Sequence, residues 1–202
     1  MQKRDVRAFY DHTAAQWAEK WYADETQTPL IEAFIGLLLQ GARVLDLCCG
    51  AGYDSARMNC LGIRTVGVDF SAKSIEIARR RNPGLEFHVA DMLDSYHHIG
   101  MVDAIFCSAG IVHLRREQLR TAFERMAEVL PIGGRALLVV RDGEGRIDRM
   151  SDVEVDGVAY DRSFFAHSLE ELCRESEGIF SFEREIVYED SPIWKNYVFR
   201  RQ

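Results

Sequence analysis

The chain lacks any stretch that could cross a bilayer. Its greasiest run, Ile31 to Leu39, is interrupted by Glu32 and Gly36 and falls far short of the roughly 20 apolar residues a spanning helix needs. The N-terminus, Met1-Gln2-Lys3-Arg4-Asp5, has no apolar core of a secretory signal. The five cysteines (Cys48, Cys49, Cys60, Cys107 and Cys173) are odd in number and include no CxxC pair. That pattern suits a reduced, cytoplasmic setting better than a disulfide framework or a thiolate zinc site. His97-His98 have no acidic or cysteine partner at ligand spacing, so no metal is expected. Basic residues are in deficit, 25 Lys and Arg against 32 Asp and Glu, for a net charge of -7. Binding to a nucleic-acid backbone depends on clustered basic side chains, so a nucleic-acid partner is not expected.

No repeat, low-complexity tract or linker divides the 202 residues, so a single domain over 1–202 is expected. Hydrophobic residues at 47% and charged residues at 28% allow a full core. After residue 40, short apolar runs alternate with helical stretches, as in βαβ units. Strands are expected at Arg43 to Leu47, Arg64 to Val68, Leu85 to Val89, Val102 to Cys107 and Ala136 to Val140. Ser71 is placed to cap a helix that buries Ile75 and Ala78 and ends on Arg79, Arg80 and Arg81 before Asn82-Pro83-Gly84. Leu119, Ala122, Phe123, Met126, Val129 and Leu130 recur at helical spacing. Residues 141–167 are polar and irregular, with a hairpin turn at Asp156-Gly157. A short helix, Ser168 to Glu175, precedes two strands, Ile179 to Tyr188 and Lys195 to Arg200. The Glu-Asp-Ser-Pro loop between them is too short for a parallel crossover, so this pair must be antiparallel. Two helices precede the first strand: one from about Asp5 to Tyr22 with Val6, Tyr10, Ala14, Trp17 and Trp21 on one stripe, and one from a Thr28-Pro29 start to Gly41.

The chemistry concentrates at three strand ends. Val44-Leu45-Asp46-Leu47-Cys48-Cys49-Gly50-Ala51-Gly52 is a strand entering a glycine-bearing turn and a helix. Missing side chains there let a ligand approach the backbone, and the helix N-terminus offers free N–H groups. Asp69 closes the second strand about twenty residues beyond the glycines, where a carboxylate can accept both hydroxyls of a ribose. Asp91-Met92 closes the third; a carboxylate beside an apolar side chain suits the amine and ring face of an adenine. On these residues alone a dinucleotide-dependent oxidoreductase stays open. Ser55, standing where its third glycine would fall, and Asp91-Met92 argue against it.

Taken together, these segments resemble the class I S-adenosylmethionine-dependent methyltransferases, particularly small bacterial members acting on small molecules. Asp46, Gly50 and Gly52 match the family's first motif, Asp69 and Asp91 its two later acidic positions, and Leu130-Pro131-Ile132-Gly133-Gly134 its usual turn with the proline displaced by one. Cys48 stands where the family usually has glycine, so the turn must accommodate a Cβ there. The resemblance implies an α/β fold: a three-layer Rossmann-like sandwich with a seven-stranded, mostly parallel sheet and one antiparallel strand in a C-terminal hairpin. Within it, residues 1–40 would form a helical lid, 41–140 the cofactor-binding half, and 141–202 the substrate side and hairpin. S-adenosylmethionine is the implied cofactor and S-adenosylhomocysteine the product, with a small-molecule acceptor and no membrane partner. Implied cofactor contacts are Tyr10, Trp17, Asp46, Cys48, Gly50, Gly52, Asp69, Phe70, Asp91, Met92 and Ser108. His113, just after the fourth strand, is the candidate catalytic base. A domain that binds the cofactor without turnover is the alternative. Nothing in the sequence fixes an oligomeric state.

Overall fold

The structure is a computed structural model that describes residues 3–187 and 193–202. Met1-Gln2, the expected strand end at Tyr188 and the Glu189-Asp190-Ser191-Pro192 loop lie outside the described residues. In chain order the elements are α1 (Val6–Tyr22), α2 (Thr28–Ile35), β1 (Arg43–Leu47), α3 (Tyr53–Cys60), β2 (Arg64–Asp69), α4 (Ala72–Arg81) and β3 (Glu86–Val89). Then come β4 (Ala104–Ser108), α5 (Arg116–Val129), β5 (Arg135–Arg141), β6 (Gly145–Arg146), α6 (Asp148–Ser151), β7 (Asp152–Val155) and β8 (Val158–Asp161). The chain closes with β9 (Phe165–Ala166), α7 (Leu169–Glu175), β10 (Phe180–Glu185) and β11 (Trp194–Arg201).

Seven strands form one sheet in the order β10-β11-β5-β4-β1-β2-β3. Every neighbour pair from β5 to β3 is parallel, and β11 runs antiparallel to both β5 and β10. The single antiparallel strand is thus where the short hairpin connection required it. Strand alternation builds both faces. Leu45, Leu47, Val66, Val68, Ile105 and Leu138 point to one side and meet Leu119, Phe123 and Met126 of α5 and Leu172 of α7. Val44, Ala104, Phe106, Leu137 and Val139 point to the other and meet Leu30, Ile31 and Phe34 of α2 and Met58 of α3. At the far edge Ile75 and Ala78 of α4 close over Phe87 and Cys49. Each large side chain so withdrawn from water contributes about 1.5–3 kcal/mol before entropy is charged against it.

The local reasons for these elements are visible. Asp5 caps α1 by accepting from Ala8 N–H at 2.9 Å. Ser71 caps α4 through Ser74 N–H, and the three arginines fill its last turn. The hairpin between β7 and β8 turns at Asp156 and Gly157, whose φ angles of 50° and 75° are the left-handed pair that a two-residue turn requires.

One helix differs from the expectation. α2 ends at Ile35, not at Gly41, and its cap is Gln27, with Thr28 already inside. Gly36 N–H bonds back to Glu32 and Phe34, and Leu37 and Leu38 bond three residues back, so the helix tightens and stops. Once Leu30, Ile31 and Phe34 are buried, the following turn has only Leu37 and Leu38 left to pack, and Leu39 is exposed.

Candidate functional site

β1, β2 and β4 deliver their C-terminal ends to one edge of the sheet, where the chain reverses direction between β1 and β4. Crevices at such switch points are where open α/β sheets hold ligands. Here the crevice is a cavity of about 440 Å³, within the range of small-molecule sites. It runs from Asp69 and Phe70 at the end of β2, past Ser108 at the end of β4, to Trp194 and Asn196 at the start of β11. Because β11 is antiparallel, its start lies beside the end of β5, Trp194 opposite Arg141. α1 roofs the crevice with Tyr10, Ala14, Trp17 and Trp21, four of the five residues of its expected stripe.

One half of the cavity is built on the turn after β1. Cys48 has φ 65° and Gly50 φ 53°, both left-handed. Cys48 and Cys49 N–H both donate to Val68 O, at 2.7 and 3.1 Å, tying the turn to β2. A Cβ on Gly50 would meet nothing nearer than the Tyr53 ring at 3.6 Å, so its bare face opens on the cavity. Gly50 N–H donates to Asp69 Oδ2 at 2.9 Å and Ser71 N–H to Asp69 Oδ1 at 2.8 Å. Each carboxylate oxygen has one fixed donor and capacity for another. Two adjacent hydroxyls on a ligand match that remaining capacity. Burial lifts the Asp69 carboxyl to about 6, against the pull of these two N–H groups.

Four of the expected contacts lie off the cavity wall. Asp46 is buried beneath the turn, accepting from Ser55 Oγ at 2.5 Å. Burial first, and the nearby Asp54 second, raise its carboxyl above the usual range. Gly52 serves packing: with φ 80°, a Cβ there would sit 2.8 Å from Phe87 Cζ and 3.1 Å from the Ala78 methyl. Asp91 is held by Arg7, whose Nη2 reaches Oδ2 at 3.2 Å, and by Leu93 N–H at 3.0 Å. Met92 is buried in the core, its sulfur 3.8 Å from the Cys48 thiol. Tyr10, Trp17, Cys48, Gly50, Asp69, Phe70, Ser108 and His113 do line one cavity.

α1 is fastened along its length to the turns and helices that follow the strands. Arg7 Nη1 donates to Phe70 O at 3.0 Å, and Asp11 accepts from Ser71 Oγ at 2.7 Å. Tyr22 O–H donates to Ala51 O at 3.0 Å and accepts from Asn82 at 2.6 Å. Arg57 donates to the backbone carbonyls of Trp21 and Asp24.

The other half carries a three-member polar relay. His113 Nδ1 is 2.9 Å from the Arg162 carbonyl, which can only accept, so Nδ1 bears the proton. Nε2 then accepts, and Tyr10 O–H donates to it at 2.9 Å. Arg162 Nη2 donates to the same phenol oxygen at 3.1 Å. Burial, with Arg162's charge adding to it, pushes the imidazole down to about 4. Burial raises the Tyr10 phenol, with Arg162 opposing. At neutral pH the pair is a neutral imidazole behind a neutral phenol. Arg162, Phe164, Met150, Trp194 and Asn196 line this half without having been singled out in the sequence. They come from the irregular 141–167 segment and from β11, where no spacing marks a site. The one available signal was the Asp161-Arg162-Ser163 turn between apolar residues.

Comparison with known proteins bears on the fold. Residues 44–134, which span β1 through the turn before β5, match the family model described as a methyltransferase domain. A demethylmenaquinone methyltransferase of Clavibacter sepedonicus is 34% identical over 48% of this chain and 40% of its own length. A probable tRNA methyltransferase 9B of Bos taurus is 30% identical over 69% of this chain and 30% of its own. The chain therefore spans well under half the length of these curated relatives. The crystal structure of magnesium protoporphyrin IX methyltransferase from Synechocystis PCC 6803 with bound S-adenosylmethionine superposes with a TM-score of 0.71. It is 17% identical, and the match covers 98% of this chain and 95% of that one. The family match lies on the β1 to β4 half of the sheet, and the structural likeness, at 17% identity, shows a shared fold.

Proposed function

We propose that this protein, as a single domain, transfers a methyl group from S-adenosylmethionine to a small-molecule acceptor. Asp69 carries the reading: its two oxygens are each pinned by one backbone N–H at the cavity wall and each keep capacity for a ribose hydroxyl. Bound there, S-adenosylmethionine supplies a methyl group on a sulfonium sulfur, open to in-line attack and leaving S-adenosylhomocysteine. Asp69 and the bare face of Gly50 set the nucleoside end, and Phe70 and Ser108 flank it. Ser108 Oγ is oriented by Gln27 at 3.0 Å. Trp17 and Tyr10 present aromatic surface that favours a cationic centre. Asp91, with one donor on each oxygen from Arg7 and Leu93 N–H, keeps capacity for an adenine amine but lies off the cavity wall.

Positioning two reactants in one cavity can supply most of the acceleration for such a displacement. His113 receives a proton only through Tyr10, so these two residues act as a unit at the acceptor end. A cavity walled by aromatic side chains and a net charge of -7 support a small acceptor over a polynucleotide. Five unpaired thiols support a cytoplasmic setting, and among the described residues no helix is long and apolar enough to cross a membrane.

The test is calorimetry with S-adenosylhomocysteine, followed by incubation with methyl-labelled donor and a panel of small acids, phenols and amines. Saturable product binding lost in Asp69→Ala, together with transfer of label, is the expected result. Binding without transfer to any acceptor points to a domain that only holds the cofactor. No binding at all removes the proposal.

A further inference from the structure

The acceptor half of the cavity contains a partly buried cation that pairs with no anion among the described residues. Arg57, Arg135 and Arg146 are each partly buried, and each holds a carboxylate. Arg162 pairs with no carboxylate among the described residues. Its Nη2 donates to Tyr10, while its Nε is buried with no hydrogen-bond partner. The guanidinium is surrounded by ring faces instead: its central carbon is 4.7 Å from the Phe9 ring, 5.5 Å from Phe164 and 5.9 Å from Trp17. Rings attract the charge but leave N–H groups unsatisfied, and guanidinium has five of these.

The backbone that carries this side chain is fixed. Arg162 N–H donates to Ser151 O at 2.7 Å, and its carbonyl accepts from His113. The next residue, Ser163, is held in a left-handed conformation (φ 47°) by Asp161, whose Oδ1 accepts from Ser163 N–H at 2.7 Å. Asp161 is in turn fixed by Arg146 at 2.9 Å. A turn this constrained, aiming an unpaired guanidinium into a cavity, is arranged in advance for something that binds it.

We infer that Arg162 is the receptor for a carboxylate on the methyl acceptor, so that the substrate is a small carboxylic acid with an apolar, ring-sized body. A planar fork of N–H donors fits a carboxylate edge to edge. A single guanidinium neutralises one negative charge, and the remaining walls here, Met150, Phe164 and Trp194, are apolar. With the charge docked on Arg162, Tyr10 and His113 border the bound molecule and Asn196 offers it a polar contact on the β11 side. The inference rests on the donor lying at Asp69. The aminoacyl tail of the donor also ends in a carboxylate, so the experiment must separate the two sources.

Benzoate and its uncharged counterpart benzamide are the probes, titrated into protein saturated with S-adenosylhomocysteine and followed by tryptophan fluorescence, since Trp17 and Trp194 line the cavity. Wild-type protein is expected to bind benzoate saturably and at least about tenfold more tightly than benzamide. Arg162→Gln should lose that preference while keeping S-adenosylhomocysteine affinity within about threefold by calorimetry. Arg162→Lys should keep part of the preference, and its thermal melt shows whether a folded protein is being measured. Three results overturn the inference: equal binding of the two probes, no saturation by benzoate up to about 10 mM, or an unchanged preference in Arg162→Gln. A fourth, S-adenosylhomocysteine affinity falling in Arg162→Gln as far as benzoate affinity, assigns Arg162 to the donor. If wild-type protein fails to bind S-adenosylhomocysteine, the donor site is wrong. Benzoate against benzamide on the free protein then still decides what Arg162 does.

Discussion

Acid should weaken nucleoside binding through one identifiable group. Burial raises the Asp69 carboxyl to about 6 in the folded, ligand-free protein, against about 3.9 in an unfolded chain. The shift means that burying the ionised carboxylate costs the folded state about 3 kcal/mol. The sign follows from proton counting. Between about 3.9 and about 6 the folded state holds more protons than the unfolded one, so this contribution to stability falls as pH rises through that window. The cost is fully present above about 6 and gone below about 3.9. Ligand hydroxyls need the ionised form, so binding runs the other way. With a midpoint of about 6, nucleoside affinity at pH 5 should be about tenfold lower than at pH 7, or about 1.4 kcal/mol. Asp46 and Asp54 are also raised by burial, and both affect pH-dependent stability in the same direction. Neither lines the cavity, so binding isolates Asp69 where melting does not. The assay is calorimetry with adenosine, which has no titrating group of its own in this range, from about pH 5 to about pH 7.5. Asp69→Asn should bind roughly 1.5–3 kcal/mol more weakly and show no pH dependence. Affinity that stays flat in the wild type, or a slope that survives in Asp69→Asn, refutes the assignment.

Gly52→Ala should destabilise by about 2–4 kcal/mol, read from denaturant midpoints, because a left-handed alanine would press its methyl into the Phe87 ring. Gly50→Val puts a branched side chain at φ 53° with its bulk in the cavity, and S-adenosylhomocysteine binding in calorimetry should be abolished. A variant that still binds normally would mean the ligand does not pass over this turn. In heteronuclear NMR the His113 imidazole should titrate near 4 and keep its Nδ1 proton at neutral pH. A midpoint near the ordinary histidine value would break the relay through Arg162 and Tyr10.

The strand pattern was legible because it follows from burial. β1 begins and ends at the expected residues, and β2 differs only by including Asp69, since parallel strands buried on both sides are continuous apolar runs. The end of the sheet proposed for the cofactor follows a related logic. A turn that must leave its backbone bare and a carboxylate at a strand end are local features, and Gly50 and Asp69 do meet through a hydrogen bond. Where a residue's role depends on a partner distant in sequence, local pattern fails. Gly52 looks like a ligand-binding glycine until Phe87, thirty-five positions on, is seen against it. Asp91 looks like a free acceptor until Arg7 is seen to hold it. Arg162 has no mark in the sequence, because what distinguishes it is its place in the cavity wall without a carboxylate partner among the described residues.

Cys48 shows both sides of this at one position. The turn needs a residue at φ 65°, which for any side-chain-bearing residue costs on the order of 1 kcal/mol or more. Glycine would avoid that cost. The side chain that replaces glycine lies against the core formed by Met92 and Cys107, and together with Cys107 it covers bare Gly110, where a Cβ would fall 2.7 Å from one sulfur and 2.8 Å from the other. Two sulfurs fill the space beside the loop that leads from β4 to His113. The strained cysteine and the unsubstituted Gly110 are therefore one packing solution split between two strand ends. Restoring glycine at 48 would relieve the backbone but remove the sulfur that packs against Gly110 at the cavity wall.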